Sequence, residues 1–103
     1  MDSLAALGDL TRRRIVESLA GGPLSSGEIA DRFAVTAPAI SQHLKTLKGA
    51  HLVRARAVGQ RRIYELDPAG LEAVSAWVSQ IQRFWAPRLD ALEAHLRNEE
   101  DKG

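Results

Sequence analysis

The chain has 103 residues, 45% hydrophobic and 26% charged, with a formal net charge of +1; this suits one compact domain and is far from the composition of disordered chains. The absence of cysteine excludes disulfides, thiolate zinc sites, iron–sulfur clusters and cysteine nucleophiles together. No apolar run approaches the roughly 18 residues that span a bilayer, and the amino terminus lacks the pattern of a secretory signal, so the expectation is a cytoplasmic protein with no membrane partner.

In chain order, the apolar stretch Leu4 to Leu7 reads as a first short helix ahead of Gly8, and Asp9 then caps a second helix carrying Leu10, Ile15, Val16 and Leu19 up to the stop Gly21-Gly22-Pro23. Ser25 with Glu28 three residues on has the form of a capping box, which opens a short third helix with Ile29, Ala30 and Phe33 inward. After a tight connection, Thr36 is the next N-cap, and Pro38 falls in a first turn, where its missing amide costs little. The helix over 36–48 carries Ile40, Leu44 and Leu47 as one apolar stripe, and Gly49 suits a left-handed C-cap. Two helices joined by about three residues make a helix-turn-helix over about 25–49.

The segments LVRARAV and RRIYELD follow, separated by Gly59-Gln60, and read as a two-stranded hairpin over about 52–67. From Pro68 the pattern is helical again. Leu71, Val74, Val78, Ile81, Trp85, Leu89, Leu92 and Leu96 recur at steps of three or four, with Trp77 and Phe84 widening the stripe over about 69–98. The step pattern slips around Pro87, which predicts a kink or brief break there. The fold class is mostly α with a small β-hairpin, a single α+β domain.

Charge is unevenly spread. Arg12, Arg13, Arg14, Lys45, Lys48, Arg54, Arg56, Arg61 and Arg62 fall in the first two thirds, while the tail from Glu93 to Asp101 is mostly acidic. With Ile40 at the centre of the buried face and about 100° per residue, Pro38, Ser41, Gln42, Lys45 and Thr46 project to the other side. An amide such as Gln42 pairs with an adenine edge, the Ser41 hydroxyl with several edges, and the apolar surface of Ala37 or Pro38 with a thymine methyl, so this face suits the major groove of double-stranded DNA. Arg61 and Arg62, beside the hairpin turn, are placed to reach a phosphate or a narrow minor groove; Arg54 and Arg56 equally well keep a strand edge soluble.

Catalysis is not expected. Ser41 and His43, two apart on a helix, do not face each other, and no orienting carboxylate is evident. His43, His51 and His95 form no paired metal motif, and only His95 with Glu99 has helical i, i+4 spacing, so neither a metal site nor a cofactor is predicted. The carboxy-terminal stripe spans about 30 Å, more than a compact unit of this size readily covers, and the simplest solution is a two-fold homodimer burying Leu71, Val74, Trp77, Val78, Ile81, Phe84, Trp85, Leu89, Leu92 and Leu96.

In element order and local strings the chain resembles the ArsR-type winged-helix transcriptional repressors of bacteria and archaea. LGDLTRRRIVESLAGGPLSSGEIADRF is similar to the family's opening, TAPAISQHLKTLKGAHLV to its recognition helix and VGQRRIYELD to its wing. The resemblance implies that Ser41, Gln42 and Lys45 sit in the major groove with His43 flanking them, that Arg61 or Arg62 approaches the backbone or minor groove, and that terminal helices form the dimer. It also implies repression by blocking polymerase. Leu10 stands where the family commonly has proline. The family's thiolate sensor cannot exist here, and its paired Asp/His ligands are not matched around Asp90 and His95; the similarity is to the metal-independent branch, whose inducer is a small molecule, a protein or nothing. Two rival readings remain: a protein-interaction module using the apolar tail, and a repressor switched by a metal at His95 and Glu99 or by an apolar ligand near Trp77 and Trp85.

Overall fold

The computed structural model describes residues 2–102, with side chains described through residue 99. Asp2 and Asp9 open the first helices, α1 (Ser3–Ala6) and α2 (Leu10–Ala20). Their carboxylates accept from the amides of Ala5 and Arg12, donors that a helix start otherwise leaves unpaired. In α3 (Ser26–Asp31) the capping box is complete: the Glu28 amide donates to Ser25 Oγ and the Ser25 amide to Glu28 Oε1, both at 3.1 Å. Thr36 caps α4 (Ala37–Gly49) by accepting from Ala39, and Pro38 lies in the first turn.

The expected hairpin forms from β2 (Val53–Val58) and β3 (Arg61–Leu66), and β1 (Leu24–Ser25) extends it to a three-stranded antiparallel sheet in the order β1-β3-β2. Two residues are too few to carry a strand periodicity, so β1 arises from long-range pairing: Leu24 stands opposite Tyr64 and Ser25 opposite Ile63. Ile15 and Leu19 of α2, Ile29 of α3, Ile40, Leu44 and Leu47 of α4, and Leu52, Val53 and Tyr64 at the sheet form one buried core. Burial of a large aliphatic side chain stabilises by about 1.5–3 kcal/mol, so this cluster fixes α4 against the sheet and α2.

Gly49 does not take the left-handed position. Helix α4 runs through it to an Ala50 cap, and His51 takes the left-handed conformation instead, at φ 59. His51 N donates to Lys48 O and Leu52 N to Leu47 O, in the manner of a Schellman motif, with buried Leu47 and Leu52 supplying its apolar contact. The chain then crosses the hairpin and returns, because Gly70 N donates to His51 O at 2.8 Å.

Helix α5 (Pro68–Lys102) is continuous, with Pro87 inside it. The amide that Pro87 lacks would have bonded the Arg83 carbonyl; Arg83 is exposed, so water can satisfy that carbonyl and the break expected there does not occur. Leu71 and Val74 pack against the core. Beyond them α5 leaves the body, giving extents of 69 × 26 × 22 Å and a radius of gyration of 19.5 Å, against about 13 Å for a compact chain of this length. Of the acidic tail, the side chains of Glu100 and Asp101 lie outside the described residues.

Candidate nucleic-acid interface

With Ile40, Leu44 and Leu47 locked inward, α4 turns Pro38, Ser41, Gln42 and Lys45 outward, and all four are exposed, as is Ala37 at the first turn. Thr46 and His43 are half-buried, His43 on the flank turned to α2. The outward arc thus consists of a hydroxyl, an amide, an ammonium and a proline ring, groups that can meet base edges and a phosphate.

His43 has a partner on that flank: Arg12 Nη1 lies 3.4 Å from His43 Nδ1. Arg12 also donates from Nε to the Ala6 carbonyl at 2.6 Å. The Arg12 amide holds the Asp9 carboxyl below its usual pKa, with smaller contributions from the charges of His43 and Arg12. In sequence Arg12 is one of 14 lysines and arginines, and a separation of 31 positions from His43 offers no local signal of the link.

The two arginines of the hairpin tip behave differently. Along β3 side chains alternate, so Arg62 shares a face with Tyr64 and Leu66, opposite Ala57 on β2, while Arg61 points the other way, opposite Val58. Arg61 is tied back to the start of α3, donating from Nη2 to Glu28 Oε1 at 3.0 Å and to Ser25 Oγ at 3.1 Å. Glu28 has a lowered pKa, chiefly because the Ser25 amide donates to it, then through the Ser25 hydroxyl and the charges of Arg61 and Arg32. Arg62 is exposed and makes no ion pair among the described residues. Arg54 pairs across the strands with Glu65 at 3.0 Å, the edge-solubilising arrangement.

On α5, Trp77, Val78, Ile81, Phe84, Trp85, Leu89, Leu92 and Leu96 are between 39% and 59% exposed. Phe84 and Trp85 meet edge to face at 5.7 Å, and the Arg88 guanidinium lies 4.4 Å from the Phe84 ring centre. His95 and Glu99 pair at 3.0 Å and are exposed. Among the described residues no group of three or more His, Asp or Glu side chains is gathered as a metal would need, and no helix is long and apolar enough to cross a membrane.

A family model for bacterial regulatory proteins of the arsR family matches residues 9–55. The HTH-type transcriptional regulator Rv2034 of Mycobacterium tuberculosis is 49% identical over 96 residues, covering 93% of this chain and 87% of that protein. The chain belongs to the arsR family. The transcriptional repressor SdpR of Bacillus subtilis is 37% identical over 73 residues, 71% of this chain and 81% of that one. A crystal structure described as a possible transcriptional regulator for arsenical resistance superposes with a TM-score of 0.76 at 39% identity, covering 91% of this chain and 95% of the other. This arsR-family chain is therefore a DNA-binding transcriptional regulator of winged-helix fold and not an enzyme.

Proposed function

We propose that two copies of the chain act as a cytoplasmic repressor on an inverted-repeat operator, each placing α4 in one of two successive major grooves. The reading rests on one observation above all: Pro38, Ser41, Gln42 and Lys45 form a continuous exposed arc on a helix whose other side is fixed in the core. Gln42 and Ser41 read base edges, Ala37 and Pro38 supply apolar contact, and Lys45 neutralises phosphate. Arg62 carries the wing's contact with the backbone or minor groove, because Arg61 is engaged by Glu28 and Ser25. Thr46 and His43 support this surface from its flank.

The second copy docks along α5. Eight large apolar side chains left about half exposed forfeit on the order of 1 kcal/mol each relative to full burial, and a two-fold pairing of the same stripe on both chains covers them. Leu71 and Val74, already against their own core, contribute at the root of that interface. With no cysteine in the chain and no cofactor in the reading, relief of repression falls to a small molecule, a partner protein or a change in protein level.

Selection of bound sequences from a random duplex pool tests the reading. The expected product is a two-fold-symmetric site with half-site centres about 10 base pairs apart. Recovery of unrelated sequences, or of a single asymmetric half-site, would refute it.

A further inference from the structure

The contact between Arg12 and His43 decides a point of chemistry. A guanidinium has only donors and stays charged at any physiological pH. In the neutral ring, a nitrogen that faces it must supply a lone pair, so His43 Nδ1, 3.4 Å from Arg12 Nη1, is then the acceptor, and the one ring proton sits on Nε2. Arg12 is not free to swing away. Its Nε is bound to the carbonyl of Ala6, which closes α1, and its backbone amide to the carboxylate that caps α2.

We propose that Arg12 is a positioning residue for DNA recognition, fixing His43 as its Nε2–H tautomer so that the flank of α4 offers DNA one N–H donor beside Gln42. The proposal rests on the reading of α4 as the groove helix. The tautomer determines specificity. An Nε2–H donor suits the O6 and N7 acceptors of guanine, the N7 of adenine or a phosphate oxygen. The other tautomer would leave a lone pair on Nε2 and favour the amino groups of cytosine and adenine.

The test starts with the free protein, in which long-range proton–nitrogen spectra of the imidazole distinguish both tautomers and the imidazolium. In its neutral form His43 shows Nε2–H alone, and Arg12→Ala gives a mixture of tautomers. Arg12→Gln, whose amide donates to Ala6 or to Nδ1 but not to both, guards against loss of folding in the alanine variant and gives an intermediate ratio. A double-mutant cycle follows on the duplex recovered from the pool: Arg12→Ala and His43→Ala each weaken binding about tenfold, and the double variant is no weaker than either. An Nδ1–H tautomer in the neutral ring of the parent protein, or two losses that simply add, overturns the proposal. Gln42→Ala separates the two failures. If it relaxes base preference while the Arg12 and His43 losses add, only this proposal falls; if it too leaves binding unchanged, α4 is not the groove helix and both fall.

Discussion

Gly70→Ala places a methyl group where the fold has no room for one. An ideal Cβ at Gly70 lies 2.7 Å from the His51 carbonyl carbon and 2.9 Å from Leu52 N, with the His51 oxygen nearer still. All three are backbone atoms, held by the bonds that close α4, so no rotamer change relieves the clash. Ordinary van der Waals contact, about 3.5 Å, requires the root of α5 to withdraw by roughly an ångström. That strains the packing of Leu71 and Val74 on the core and lengthens the 2.8 Å bond from Gly70 N to His51 O. Overpacking costs about 1–3 kcal/mol and the bond about 1 kcal/mol more. At about 4–8 °C per kcal/mol, the melting midpoint falls by at least about 8 °C. The assay is a circular dichroism melt at one fixed protein concentration, since a dimer's midpoint depends on concentration. The companion change His51→Gly removes the cost of a side chain at φ 59, about 1 kcal/mol, and raises the midpoint. A Gly70→Ala midpoint within about 3 °C of the parent would refute the reasoning.

Gln42→Ala relaxes base preference at one position of each half-site and costs about 1–3 kcal/mol on specific duplex; equal losses on specific and random duplex would contradict its place at a base edge. Arg62→Ala weakens both kinds of duplex alike and lowers the slope of log affinity against log salt by about 1 per subunit. Arg61→Ala leaves that slope unchanged, and a slope as low as that of Arg62→Ala would show that Arg61 leaves Glu28 for phosphate. Trp85→Asp yields monomers in sedimentation, and a persisting dimer at micromolar concentration would remove α5 as the interface. The lowered pKa values of Asp9 and Glu28 give stability present above the unfolded carboxylate pKa of about 4 and lost as pH falls through it toward the folded values. The urea midpoint therefore drops between about pH 5 and pH 3, less steeply in Glu28→Gln; parallel acid profiles for the two proteins would contradict this.

Features closed within a few residues were legible in the sequence: Ser25 with Glu28, Thr36 ahead of Pro38, and the Ile40, Leu44, Leu47 stripe each satisfy a local rule, and each forms as expected. What the sequence hid depends on partners far along the chain. β1 exists only because Leu24 meets Tyr64. Arg61 belongs to Glu28 and Ser25, 33 and 36 positions away, so two adjacent arginines that look equivalent are not. Local chemistry also favoured Gly49 as the left-handed residue; Leu47 and Leu52 both reach the core only if the turn falls at His51, and that burial outweighs the strain on a non-glycine residue. Pro87 reads as a helix breaker, yet on an exposed helix the carbonyl it leaves unpaired has water at hand.

The two paired residues of β1 have a consequence for binding. A hairpin joined to its domain at one end flexes, and a flexing wing must give up that freedom when it settles on a phosphate. Here β1 and the Arg61–Glu28 link join the tip region of β3 to the start of α3, so under the proposed function the hairpin and α4 meet the duplex with their relative placement already set by the fold. On the proposed reading, the entropic cost of orienting the strand that carries Arg62 is met when the chain folds, and the exposed Arg62 side chain is what remains to be ordered at the operator.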